Sequence, residues 1–334
     1  MRVALLRVLL LCLSQFAWEA AGQVVDSYQV KQVRGGAVAT ERAGFLNYVG
    51  PEYSYLQDSP LEKALDSLNK SQLNGLDATE FYYYRSWVYF LHGKIPESFA
   101  DADRYSKLPS RKNTYGGLVL LAKLYALRLS PAKSEELYNQ AIALDPGRID
   151  AYVEKARVYA FRSEVEMGLA EVKQLVKKFP DAAEPYLYRG ILLTRNQDYK
   201  KGYADLTKVL EARTLSPTDK WQANYWAARA SLGLKSDTVA LWYAQQCLKI
   251  DPGRSEGYGL RGEAYFRAGD LDSALADFNR MEQRFQSSYY WEIIAAIHEK
   301  KGNVKEACRY LSKSCQMFPT QGNACSRLKK LCGG

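Results

Sequence analysis

Small, aromatic and polar positions recur along the chain with a period of about 34 residues. Asp145-Pro146-Gly147-Arg148 follows one helix-like run, and the same four residue types recur at Asp251-Pro252-Gly253-Arg254. Matching the small and aromatic residues around these segments divides the chain into units that begin at Thr79, Tyr115, Ile149, Ala183, Trp221, Ser255 and Ser288. Each unit has room for two helices, so the pattern predicts an all-α chain of paired helices.

The unit that begins at Ile149 shows the pattern inside one repeat. Its fourth and eleventh positions, Tyr152 and Tyr159, are large, and its eighth and twentieth positions, Ala156 and Gly168, are small. Small residues allow two helices to approach closely, and large ones fill the space to the next unit. This arrangement resembles the tetratricopeptide repeat, a family of helix-turn-helix units.

The resemblance implies a right-handed α-solenoid of about seven repeats in residues 79–319. Residues 45–78 resemble a degenerate repeat that caps the N-terminal end of this array, and residues 320–334 are expected to form a C-terminal capping helix. Residues 23–44 are expected to be extended or mobile. The predicted fold is therefore one helical array between two caps.

The spacing of the C-terminal cysteines predicts how the capping helix is held. Cys308 and Cys315 are seven residues apart, as are Cys325 and Cys332, so each pair lies on one face of a helix. Continuing the repeat register onto two antiparallel helices pairs Cys308 with Cys332 and Cys315 with Cys325. A four-cysteine zinc site is disfavoured because such sites use closer spacings, and unpaired thiols are the other alternative. Cys247 occupies a small position and is predicted to be a buried free thiol.

Residues 1–22 resemble a secretory signal peptide. Arg2 and Arg7 flank the start of a short apolar run, and small residues precede Gln23, where cleavage is expected. A lipid anchor on Cys12 and an uncleaved membrane anchor are the alternatives. The signal peptide predicts an exported protein, periplasmic or secreted.

Composition and motifs narrow the chemistry further. The 334 residues include 46 Lys or Arg, 37 Asp or Glu and 2 His, and the net charge is +9. Basic residues are scattered among acidic ones, so no nucleic-acid partner is expected. Gly257-Tyr-Gly259-Leu-Arg-Gly262 has the spacing of a dinucleotide-binding turn, but no strand precedes it and helix packing explains the glycines. No catalytic residue, metal site or cofactor is predicted.

The resemblance also implies a candidate binding surface, because the first helices of tetratricopeptide repeats line a concave groove. The residues predicted to line it are Tyr83, Trp87, Phe90, Lys123, Arg157, Arg195, Tyr225, Arg229, Glu263 and Arg267. Aromatic residues at one end and a series of arginines suit a peptide or an acidic segment. The alternative is that the arginines only keep a helix face soluble.

The sequence therefore predicts a non-catalytic protein-protein interaction scaffold or adaptor of the cell envelope. An export signal followed by such repeats resembles envelope-assembly proteins of Gram-negative bacteria. No small-molecule substrate is predicted. The alternative is a glycan- or peptidoglycan-associated module, because tyrosine and tryptophan rings also stack on sugars. An enzyme is disfavoured because no acid/base or nucleophile constellation is visible.

Overall fold

The computed structural model describes residues 59–73, 75–108, 114–127, 130–161, 164–212, 215–282, 287–319 and 323–333. These residues form sixteen α-helices and no β-strand. The predicted signal peptide, the predicted extended segment and residues 45–58 of the predicted N-terminal cap lie outside the described residues. The all-α prediction is confirmed within the described part of the chain.

The helices divide between two compact units. The N-terminal unit comprises the described residues of Met1–Leu192 with Ser216–Thr218, and the C-terminal unit comprises those of Leu193–Leu215 and Asp219–Gly334. The helices are α1 (Leu61–Leu73), α2 (Ala78–Leu91), α3 (Ile95–Lys107), α4 (Tyr115–Leu127), α5 (Pro131–Leu144), α6 (Asp150–Phe161), α7 (Val165–Lys178), α8 (Ala183–Arg195), α9 (Tyr199–Leu210), α10 (Pro217–Gly233), α11 (Asp237–Ile250), α12 (Ser255–Ala268), α13 (Leu271–Glu282), α14 (Ser288–Lys300), α15 (Val304–Met317) and α16 (Ala324–Cys332).

Consecutive helices pack in pairs, with α2 against α3, α4 against α5, α12 against α13 and α14 against α15. Small residues at the crossings explain the close approach. A Cβ atom added to Gly168 would lie 2.8 Å from the Cβ of Tyr159, and one added to Gly262 would lie 3.0 Å from the Phe278 ring. The glycine-rich segment of α12 therefore serves packing, as its position in the repeat predicts.

In the pair of α2 and α3, buried serines occupy the two small positions where the helices cross. Ser86 Oγ donates a hydrogen bond to the Ser98 carbonyl, and Ser98 Oγ donates to the Ser86 carbonyl, each at 2.8 Å. In the next pair, Ser134 Oγ donates to the Ala122 carbonyl at 2.8 Å. These bonds satisfy polar groups in a dry contact, so serine can replace alanine or glycine there.

An ion pair that the sequence analysis did not predict recurs between the two helices of several repeats. Arg85 pairs with Asp101, Lys155 with Glu171 and Arg261 with Asp277, always sixteen residues apart. The two arginines bind their carboxylates through two nitrogens each, at 2.5–2.8 Å. The sequence contains this pattern, because in each of these three predicted repeats the seventh residue is basic and the twenty-third is acidic.

The two Asp-Pro-Gly-Arg segments form the same turn. The aspartate Oδ1 accepts the glycine N–H at 3.2 Å in the first segment and 3.0 Å in the second. The guanidinium of Arg148 lies 4.0 Å from the ring centre of Tyr115, and that of Arg254 lies 3.8 Å from the ring of Trp221. Each turn thus holds its arginine on the aromatic residue that begins the same predicted repeat.

The predicted disulfides Cys308–Cys332 and Cys315–Cys325 are confirmed, with Cα–Cα distances of 5.9 Å and 4.8 Å. They join α15 to α16. Arg327 of α16 also pairs with Glu299 of α14 and donates to the Glu292 carbonyl at 3.3 Å. The last helix is therefore held covalently on one neighbour and by charge on another.

Cys247 is the free cysteine of the described residues, and it is buried as predicted. Its Sγ donates to the Trp221 carbonyl at 3.6 Å, and burial raises the pKa of its thiol to about 12. It is therefore a packing residue that stays protonated.

Within the described ranges, no helix combines the length and the apolar character needed to cross a membrane.

Candidate binding site

The predicted groove residues of the N-terminal unit lie on α2, α4 and α6. Trp87 and Phe90 are only 2% and 5% exposed and pack edge to face with ring centres 5.7 Å apart. Tyr83 is half-buried against Tyr105, and burial raises its pKa. Helix periodicity placed these rings on one face, but the neighbouring helices cover Trp87 and Phe90, so these two side chains offer little open surface.

Lys123 and Arg157 come together around Glu154, which the sequence analysis missed. Lys123 Nζ lies 2.9 Å from Glu154 Oε1, and Arg157 Nη1 lies 3.5 Å from Glu154 Oε2. Burial alone would raise the pKa of Glu154, but the charges of Arg157 and Lys123 outweigh burial and lower it. We name these three residues the lysine triad.

Arg229, Glu263 and Arg267 form a second cluster, in the C-terminal unit, which we name the arginine triad. Glu263 is 3% exposed. Its Oε1 accepts a hydrogen bond from Arg267 Nη2 at 3.4 Å, and Arg229 Nη1 lies 3.7 Å from its Oε2. Arg267 Nη1 also donates to the Leu232 carbonyl at 2.7 Å. One buried carboxylate therefore positions two arginines from α10 and α12.

Tyrosines from two helices surround the arginine triad. Tyr289 of α14 donates its hydroxyl to Glu263 Oε1 at 2.7 Å and is 48% exposed. Tyr225 of α10 stacks on Trp221 with ring centres 5.1 Å apart. The sequence analysis missed Tyr289, although Tyr289 lies on the first helix of its predicted repeat and first helices were expected to line the groove. Arg195 ends α8 and is half-buried, and burial lowers its pKa.

The surroundings of Arg229 keep its charge fixed. Burial alone would lower the pKa of Arg229, but Tyr225, Tyr290 and Glu263 outweigh burial and raise it. Burial, reinforced by the charge of Glu263, raises the pKa of Tyr289. Both groups therefore keep their protons at neutral pH, so both can donate hydrogen bonds to a ligand.

The two triads have the same arrangement of charges on consecutive predicted repeats. Lys123 and Arg229 both hold the ninth position of a predicted repeat, and each faces a glutamate on the first helix of the next repeat. A second cation follows that glutamate on the same helix. Among the described residues, no group of three histidine, cysteine or acidic side chains is arranged to hold a metal ion.

Comparison with known proteins agrees with the fold. Residues 260–321 match the family model described as tetratricopeptide repeat. The human mitochondrial import receptor subunit TOM70 is 20% identical over 305 residues, which cover 84% of this chain and 47% of that protein. The chain thus spans about half the length of that relative.

Two solved structures resemble the chain at low sequence identity. A tetratricopeptide repeat protein from Parabacteroides merdae has a TM-score of 0.56 and 18% identity, covering 75% of this chain and 98% of that one. The APC/C hetero-tetramer Cut9-Hcn1 has a TM-score of 0.66 and 14% identity, covering 92% of this chain and 63% of that one. These two likenesses establish the fold and nothing finer.

Proposed function

We propose that this chain, a tetratricopeptide-repeat protein, is a non-catalytic scaffold or adaptor that binds a partner protein or peptide. The observation that carries the proposal is the arginine triad, in which one buried glutamate holds two partly exposed arginines beside an exposed tyrosine. Arginine and tyrosine dominate the energetics of protein interfaces. The likenesses support it, because one neighbour is part of a hetero-tetramer and one relative is named an import receptor subunit.

The proposal extends to an exported protein of the cell envelope, periplasmic or secreted. The signal-peptide pattern of residues 1–22 and the two disulfides of the C-terminal cap support it, because disulfides persist in oxidising compartments. The glycan-binding alternative has less support, because Trp87 and Phe90, two of the aromatic groove residues on which it relies, are buried.

Site-directed photo-crosslinking tests the proposal. A photoreactive amino acid is placed at Tyr289, beside the arginine triad, and at Trp242, which is 54% exposed on α11. We expect a discrete crosslinked partner from position 289 and no such product from position 242. The same sample, analysed by intact mass, is expected to begin at Gln23. Identical products from both positions, or a chain that retains Met1, would contradict the binding surface or the export, respectively.

A further inference from the structure

The arginines of the triad have hydrogen-bond donors to spare. A guanidinium carries five N–H donors. Arg267 uses two of them, on the Leu232 carbonyl and on Glu263. Within the part of the chain that the structure describes, the Arg229 side chain makes no hydrogen bond, and its contact with Glu263 at 3.7 Å is an ion pair beyond hydrogen-bond range. Most of these donors therefore make no hydrogen bond to the described residues.

The charge of the triad specifies which ligand suits these donors. Two arginines and one glutamate leave one net positive charge. The glutamate side chain is 4% exposed, whereas each arginine side chain is 38% exposed, so the positive groups form the outer surface. A carboxylate matches the planar fork of a guanidinium through two parallel hydrogen bonds. One net charge is too little for a nucleic-acid backbone, which needs several cations along its length.

The lysine triad has the same net charge but offers less to a ligand. Its Lys123 and Arg157 side chains are 10% and 23% exposed. Arg157 also donates its Nε–H to the Tyr188 hydroxyl at 2.9 Å. The cations of the arginine triad are therefore more accessible to a ligand than those of the lysine triad.

We infer that the arginine triad recognises an internal aspartate or glutamate side chain in an extended segment of the partner. This inference rests on the proposed function and names the chemistry of its ligand. Arg229 and Arg267 bind the carboxylate, Glu263 is a positioning residue that holds both arginines, and the exposed ring of Tyr289 contacts the methylene groups of the acidic side chain.

Fluorescence anisotropy with a defined probe tests this inference on the full chain. The probe is a labelled, N-acetylated and C-amidated peptide in which glutamate alternates with alanine, and its counterpart carries glutamine instead. Blocking both ends ensures that only side-chain carboxylates are available. We expect the glutamate peptide to bind the wild type, more weakly at high salt, and the glutamine peptide not to bind.

Two arginine substitutions complete the experiment. Arg229→Gln removes no side-chain hydrogen bond of the described residues, and Arg267 and Tyr289 still donate to Glu263, so binding is expected to weaken about tenfold while the chain stays folded. A modest fall in the unfolding midpoint is expected, because the buried Glu263 loses one of its two cations. Arg309→Gln is the matched control, because Arg309 is 52% exposed in the same unit and pairs only with its neighbour Glu306 among carboxylates of the described residues. Arg229→Lys keeps the charge and loses the fork, so an intermediate affinity is expected.

Three results would overturn the inference: no binding of the glutamate peptide, equal binding of both peptides, or equal affinity of the Arg229→Gln and Arg309→Gln variants. Crosslinking at position 289 separates this failure from that of the proposed function. A crosslinked partner whose capture is unaffected by Arg229→Gln leaves the scaffold function standing without acidic recognition. Absence of any crosslinked partner removes the proposed function itself.

Discussion

Asp101 shows how much one buried charge can contribute to the stability of the fold. It is 2% exposed and accepts hydrogen bonds from Arg85 Nε at 2.5 Å, Arg85 Nη2 at 2.8 Å and Arg104 Nη1 at 3.1 Å. Asp101→Ala would leave the Arg85 guanidinium without its carboxylate between α2 and α3. We expect a loss of about 2 kcal/mol in the free energy of unfolding, because removing one partner strands the other. Urea denaturation measures it.

Asp103 provides the control on the same helix. It is partly exposed and pairs with Lys107, whose side chain is 72% exposed. Asp103→Ala is expected to cost less than about 0.5 kcal/mol, because a solvated ion pair contributes little. If the two substitutions lower stability equally, the recurrent pair between the two helices of a repeat has no special role in holding them together.

The predicted groove residues show the limit of periodicity at the residue scale. Periodicity assigned Trp87, Phe90 and Glu263 to a helix face, and all three turned out to be at most 5% exposed. Periodicity gives the direction of a side chain, whereas its depth depends on the helices that pack over it. Glu154 could not be found in this way, because its role comes from Lys123 on another helix.

Helix α16 depends on its disulfides for stability. It has nine residues, of which one, Ala324, is buried in the core. The bonds close separations of 24 residues for Cys308–Cys332 and 10 residues for Cys315–Cys325. Replacing both cysteines of the longer loop by serine is expected to destabilise the fold by about 3 kcal/mol, and the shorter loop by somewhat less, because loop-closure entropy grows with length.

Hydrogen exchange followed by mass spectrometry checks this prediction. Faster exchange is expected in α15 and α16, whereas the N-terminal unit keeps its protection, because the cysteines of both bonds lie in the C-terminal unit. A uniform increase in exchange over the whole chain, or none in α16, would show that the cap is not stabilised locally by these bonds.

The element scale is where sequence reasoning was most complete. The cysteine spacing predicted both disulfides, because seven residues return to one face of a helix and antiparallel neighbours then allow one pairing. The small residues predicted helix crossings at Gly168 and Gly262. The recurrent ion pairs were missed, because a charge pair is recognised from sequence only when both partners are compared across repeats.

At the scale of the whole molecule, carboxylates in both units tie stability to pH. Glu154 lies between two cations, and Glu282 accepts hydrogen bonds from Tyr310 at 3.0 Å and Lys313 at 2.8 Å. Burial opposes ionisation in both, yet their polar and charged partners lower both pKa values. Their stabilisation is complete above the unfolded pKa of about 4.3 and is lost as pH falls through the lower folded values.

Acid unfolding followed by circular dichroism measures this dependence. Glu154→Gln is expected to lower stability at neutral pH and to flatten its fall between about pH 5 and pH 3, because the variant has no carboxylate to protonate there. Glu166→Gln is a suitable control, because Glu166 is exposed on α7. A Glu154→Gln variant with the same pH slope as the wild type would show that Glu154 carries no such linkage.

The sequence by itself determined the all-α repeat fold, the small residues at helix crossings and the disulfide pairing, because these follow from residue spacing on a regular helix. Only the tertiary structure decided which predicted groove residues are accessible and which carboxylates hold their cations. Burial and charge pairing depend on side chains from several helices, whose distances no single-helix pattern contains. The two triads around Glu154 and Glu263 arise at that level.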